Sequence, residues 1–179
     1  MIFEKLKLDG SYLVKLDPKQ DNRGFFSRVF CENEFKEKGL NSNWVQINNS
    51  YNKFKGTLRG MHMQNEPFNE VKLVRCIKGE IFDVIVDLRN ESKTFGKWIG
   101  KKLSETNRHM MYVPSGFAHG FISLTDDSEI MYFSSNFYNG KSERSLHYAD
   151  KTVGINWPTE IVHVSEKDQI AQNITTFKI

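Results

Sequence analysis

Two short runs of β-branched and apolar residues, Val71–Ile77 and Ile81–Leu88, flank Lys78-Gly79-Glu80. Runs of this length rich in Val and Ile read as strands, and the glycine between them reads as a turn, so a β-hairpin is expected. The same punctuation continues outward, with Gly or Asn every ten or so residues, which is the rhythm of an all-β sandwich or barrel. Further strands are expected at Phe25-Phe26 with Val29-Phe30, at Lys97 to Leu103, Met110 to Val113, His119 to Leu124 and Glu129 to Tyr138. In the last, a period of two puts Ile130, Tyr132, Ser134, Asn136 and Tyr138 on one face and Met131, Phe133, Ser135 and Phe137 on the other. Helices are few: Glu32 to Lys38, anchored by Phe35 and closed by Gly39, and a short turn within Ser165 to Ala171. The fold class is therefore all-β, a closed barrel-like sandwich with a few short helices.

One domain over residues 1–179 suits the length, and 39% hydrophobic with 26% charged residues is ordinary for a globular chain. The excess lies in 14 Phe, 6 Tyr and 3 Trp, which favour strands and bulky packing. A net charge of +3, spread along the chain, forms no concentrated basic face, so nucleic acid is not an expected partner. Cys31 and Cys76 are too few for a disulfide framework and read as reduced thiols. Met1 to Lys7 breaks its apolar run with charges, and no apolar stretch approaches the ~18 residues of a membrane span. These features predict a cytoplasmic protein without signal peptide or membrane segment.

Three segments carry candidate chemistry. In Arg59-Gly60-Met61-His62-Met63-Gln64 a histidine lies between two methionines, which suits a satisfied core residue as well as a functional one. Arg59 and His62 are three apart, so a regular strand points them to opposite faces; they serve one pocket only if the chain bulges, and Gly60 permits that. Pro114-Ser115-Gly116-Phe117-Ala118-His119 has the P-x-G-x-x-H form of the second signature of the cupin barrels, in which a tight turn delivers a histidine to the interior. The first cupin signature, H-x-H, reads His62-Met63-Gln64 here, which leaves two imidazoles, with Gln64 and Glu70 as weak supplements. A catalytic metal takes three protein ligands, so a metal is not expected. Lys72 and Asp83 stand inside the strongest strands, and either form a network facing the lumen or reach solvent from an edge.

Together these segments resemble the dTDP-4-dehydrorhamnose 3,5-epimerase family, cupin-fold jelly-roll enzymes acting on nucleotide-linked 4-keto-6-deoxy sugars. The resemblance runs from about Asp21 to Asp168. It rests on Arg23-Gly24-Phe25-Phe26, Gln46 with Asn48, Leu58 to His62, Lys72 to Arg75, Phe82 to Val84, Val86 to Arg89, and Ser92 to Gly96. Pro114 to Phe121, Tyr132, Tyr138, Gly154 to Pro158 and Ser165 to Asp168 complete the ordered set.

The resemblance implies that His62 is the base, Asp168 the carboxylate that orients it, Lys72 the cation beside a developing enolate oxygen and Tyr132 the acid on the far side. Arg59 and Arg23 would meet the diphosphate. His119 would line the pocket, with Asp83 anchoring Lys72 or a histidine. Tyr138 and Phe26 would pack on sugar or base, and Gln46 and Asn48 would bond the nucleotide. Members are typically homodimers whose sheets join across the interface. One departure concerns base recognition: where dTDP enzymes usually carry a glutamate, this chain has Arg28, which reverses charge and donor sense. GDP, as in GDP-linked 4-keto-6-deoxy-heptoses, is therefore a candidate beside dTDP. Rival readings are a 3,4-ketoisomerase on the same barrel and a non-catalytic sugar-binding module.

Overall fold

The computed structural model describes residues 1–177; the last two residues of the expected domain lie outside the described residues. The strands, in chain order, are β1 (Ile2–Lys5), β2 (Tyr12–Lys15), β3 (Lys19–Asp21), β4 (Gly24–Phe26), β5 (Gln46–Asn52), β6 (Leu58–Gln64) and β7 (Lys72–Lys78). They continue with β8 (Glu80–Asp87), β9 (Trp98–Ser104), β10 (His109–Val113), β11 (Phe117–Ser123), β12 (Ser128–Ser134) and β13 (Glu143–Ser145). The helices are α1 (Glu32–Glu37) and α2 (Glu166–Gln169), with a 3-10 turn at Ile174–Thr176. A six-stranded sheet in the order β1-β2-β10-β7-β12-β5 faces a five-stranded sheet in the order β13-β6-β11-β8-β9, and β3-β4 stand apart as a two-stranded arm. This is the all-β jelly-roll architecture expected from the sequence.

The expected hairpin does not form. β7 pairs with β10 and β12 in one sheet, while β8 pairs with β9 and β11 in the other. Gly79, at φ +73°, turns the chain from one layer of the sandwich to the other. Local turn chemistry reads alike in both cases, because a glycine corner and a glycine hairpin place the same demand on the backbone. The functional consequence is large: Val74 and Cys76 of β7 and Ile81 and Ile85 of β8 point into one shared core from opposite walls. Lys72 and Asp83 share those faces, so both look into the same lumen.

Two outer clusters complete the layering. Phe35 of α1, fully buried, packs edge-on or tilted against Phe3, Phe30, Trp44 and Tyr112 over the outer face of the six-stranded sheet. A helix of six residues is unstable alone, so this aromatic anchor carries it. Val29 and Phe30 join that cluster as irregular chain rather than as strand. Ile155, Trp157, Ile174 and Phe177 cover Val84, Val86 and Ala118 on the outside of the five-stranded sheet. β12 ends at Ser134, short of Tyr138, because the chain turns there, with the Asn136 N–H donating to the Ser134 hydroxyl oxygen. Among the described residues no helix is long and apolar enough to cross a membrane.

Candidate active site

The lumen is apolar at one end and opens at the other into a cavity of about 410 Å³ lined by Arg59, His62, Lys72, His119, Tyr132 and Asp168. A smaller space of about 110 Å³ shares His62, Lys72 and Tyr132 with it and adds Gln46, Asn48, Glu70, Ser134, Tyr138 and Glu143. Arg59 and His62 reach one cavity because β6 is bulged. His119 of β11 pairs with His62 and Phe121 with Arg59, so β6 spends three residues where β11 spends two. Gly60 makes this possible: its φ is +128°, and a Cβ there would lie 2.5 Å from the Gly120 Cα and 2.9 Å from the His119 carbonyl oxygen.

His62 sits on the five-stranded sheet, its Nε2 2.6 Å from Asp168 Oδ1. Asp168 is brought there by α2, whose N-cap Ser165 accepts the Asp168 N–H through its hydroxyl. The second oxygen, Oδ2, accepts from the Gly60 N–H at 3.4 Å. Burial raises the Asp168 carboxyl, but the bonds from His62, Ser165 and Gly60 outweigh it and hold it below the ordinary carboxylate range. The imidazole therefore meets an ionised partner at neutral pH, the arrangement that orients a histidine base and stabilises its imidazolium.

A second histidine–carboxylate pair lies beside it. His119 Nε2 is 2.7 Å from Asp83 Oδ1, with Asp83 fully buried. Burial pushes Asp83 upward, against the pull of His119 and of the Lys72 charge. Both imidazoles are thus committed to carboxylates, and among the described residues no group of three His, Cys, Asp or Glu side chains converges as a metal site would.

On the facing six-stranded sheet stand Lys72 of β7 and Tyr132 of β12. Lys72 Nζ is 3.0 Å from Glu70 Oε1. The Tyr132 phenol is raised, first by burial and then by the Glu70 charge, with Arg59 opposing. Arg59 is itself fixed by Asn52 Oδ1 at 2.7 Å and by the Tyr51 carbonyl at 3.2 Å. Tyr138 donates to Glu143 Oε2 at 2.8 Å, its backbone N–H donates to Gln46 Oε1, and Lys167 reaches Glu143 at 2.6 Å.

Of the residues singled out in the sequence, His62, Lys72, Tyr132, Asp168, Arg59 and His119 converge on the larger cavity. Gln46, Asn48 and Tyr138 line the smaller one, and Asp83 stands behind His119. Arg23 and Phe26 lie elsewhere, exposed on the β3–β4 arm, where Arg23 pairs with Asp21 at 2.7 Å. Arg28 follows the arm and pairs with Glu34 at 3.2 Å. Sequence reasoning missed Glu143 and Lys167, and noticed Glu70 only as a weak metal supplement. Glu143 comes to the site through the pairing of β13 with β6, which no local pattern announces. Glu70 had a signal: an acid two positions before a lysine on a core-facing strand lies on the same side of the chain.

The model of the family described as dTDP-4-dehydrorhamnose 3,5-epimerase matches residues 5–176. A Shigella flexneri protein named dTDP-4-dehydrorhamnose 3,5-epimerase is 46% identical over 149 residues, 83% of this chain and 82% of its own. The crystal structure of the Elizabethkingia anophelis dTDP-4-dehydrorhamnose 3,5-epimerase superposes with a TM-score of 0.94 at 40% identity, covering 98% of this chain and 97% of that one. The Legionella pneumophila dTDP-6-deoxy-D-glucose-3,5-epimerase, solved with dTDP-4-keto-L-rhamnose, gives a TM-score of 0.93 at 36% identity over 99% and 94% of the two chains. With its jelly roll, its facing histidine and tyrosine and this continuous match, the chain belongs to the dTDP-4-dehydrorhamnose 3,5-epimerase family, a family of isomerases.

Proposed function

We propose that this chain inverts C3 and C5 of a dTDP-linked 4-keto-6-deoxy-hexose, without a cofactor, through an enolate. One observation carries the reading: His62 and Tyr132 project from the two opposing sheets into a single cavity. Inversion needs a proton removed from one face of the carbon and returned to the other, which opposed walls supply.

The C4 ketone acidifies the hydrogens on both neighbouring carbons. His62 takes the hydrogen of C5 or C3 as a proton, the C–H electron pair moves into the enolate, and Asp168 stabilises the imidazolium. Lys72 and His119 are placed to donate to the enolate oxygen. Tyr132 gives its proton to the opposite face of the carbon; its phenolate and the imidazolium then return to their starting states by exchange with solvent. Arg59, held in a fixed fork, suits the diphosphate, and Tyr138 with Gln46 and Asn48 suits the nucleoside.

Relatives named for dTDP sugars favour thymine over guanine, and Arg28 is already paired with Glu34 in this chain. The test offers dTDP- and GDP-linked 4-keto-6-deoxy-hexoses in deuterated water and follows both carbons by NMR. The expected result is inverted product labelled at C3 and C5 with the dTDP sugar. Label on C4 of a 3-keto product, with none at C5, would make the protein a ketoisomerase, and turnover of the GDP sugar alone would reverse the nucleotide.

The same reading includes a second copy of the chain. Arg23 and Phe26 stand on an arm away from their own cavity, and the edge strand β5 exposes Ile47 and Tyr51. An unpaired edge and a projecting aromatic arm are features that pairing of two copies would cover. Light scattering should give twice the 20.9 kDa chain mass, and a monomer at micromolar concentration would overturn the pairing.

A further inference from the structure

We propose that Glu70 is a positioning residue for this epimerisation: it fixes the Lys72 ammonium beside the reacting sugar and keeps a negative charge next to Tyr132. The inference rests on the function proposed above and names a residue that the chemistry so far has not used.

The geometry is a three-point lock. Glu70 lies in the loop between β6 and β7, and its side chain and that of Lys72 are each 12% exposed. Charges so far out of water are costly unless paired. Oε1 takes Lys72 at 3.0 Å, and Oε2 accepts from the Ser134 hydroxyl. Ser134 is also the register partner of Lys72 across β12 and β7, so both ends of the carboxylate are tied to one rung of the sheet. Two residues earlier on the same face of β12 stands Tyr132.

Two consequences follow for the reaction. A lysine side chain has a long flexible stem and three N–H donors. Committing one donor to Glu70 holds the ammonium in place and leaves two for the substrate. The second consequence concerns the acid. Tyr132 is faced by Arg59 and His62 from β6, Lys72 from β7, His119 from β11, Tyr138 from the chain after β12, Glu143 from β13, His163 from the chain before α2, and Lys167 and Asp168 from α2, with Asp83 of β8 behind His119. β5 contributes uncharged Gln46, Asn48 and Ser50. Among these charges Glu70 acts most strongly on the phenol, favouring its protonated form. Inversion at two carbons uses the acid twice, so a phenolate driven to recover its proton resets the site between them.

The test compares wild type, Glu70→Gln and Glu70→Asp, using kcat, KM and the pH profile of inversion, with melting temperature and dTDP binding as controls for folding. In Glu70→Gln, kcat should fall about tenfold or more with KM changed by less than about threefold. The alkaline limb should move to lower pH by about half a unit or more, because the phenol loses the anion that favours its protonated form. Glu70→Asp, which keeps the charge, should return the limb to its wild-type position. A wild-type limb in Glu70→Gln, or a uniform loss of rate that tracks a lower melting temperature, overturns the inference. Should Glu70→Gln not fold, Ser134→Ala releases Oε2 alone and should lower kcat in the same direction; an unchanged kcat there also overturns it. Failure of wild type to label either carbon would instead sink the proposed function, which keeps the two failures distinct.

Discussion

His62→Asn will stop hydrogen exchange at both C3 and C5 while dTDP binding stays within about threefold of wild type. The expected loss in turnover is at least the 10²–10⁴-fold typical of a general base. Asn is smaller than His and its amide can still donate toward Asp168, so the carboxylate, which already accepts the Gly60 N–H, is not stranded without a partner. Arg59 is anchored independently by Asn52 and Tyr51, so the end of the cavity proposed to take the diphosphate survives the change. The measurement is single-turnover NMR in deuterated water, with calorimetry of dTDP binding alongside. Because one base is assigned to both carbons, exchange at C3 and at C5 should vanish together. Loss at one carbon alone would assign the other to a second base, with His119 and its partner Asp83 the nearest alternative.

What the sequence disclosed and what it withheld divide along a physical line. Strand positions follow from period and β-branching, which are local, and the runs around Lys72, Asp83, His119 and Tyr132 lie where those patterns put them. Which strands pair is not local. The turn at Gly79 reads as a hairpin, and only the competition among all the strands for partners sends β7 and β8 to different sheets. The bulge in β6 was legible because Arg59 and His62 are an odd number of positions apart and a glycine lies between them. The Asp168 contact was not readable from spacing: 106 residues separate it from His62, and the resemblance to a known family supplied it. The arm was legible as aromatic chain near Phe25, but its distance from the cavity was not, since exposure of Phe26 is a property of the assembled fold.

Tyr132→Phe should separate two events that are coupled in the wild-type enzyme. The ring stays, so the packing of Tyr132 against the barrel core is kept, and among the described residues no protein hydrogen bond to its hydroxyl is lost. His62, Asp168 and Lys72 remain in place on their own elements, so proton abstraction and enolate formation persist. What disappears is the phenolic proton proposed for the far face of the carbon. The enolate then recovers its proton from the wall it came from, through the imidazolium, after that proton has exchanged with solvent. Deuterium will therefore enter at C3 and C5 with configuration retained, while inverted product falls by about 10²-fold or more. The ratio of exchange to inversion, read from NMR of recovered substrate and product, is the decisive quantity, because general damage to the site lowers both together and leaves that ratio unchanged. Equal loss of exchange and inversion would make Tyr132 a binding group, and inversion at the wild-type rate would move the acid to another residue on that wall, such as Lys72.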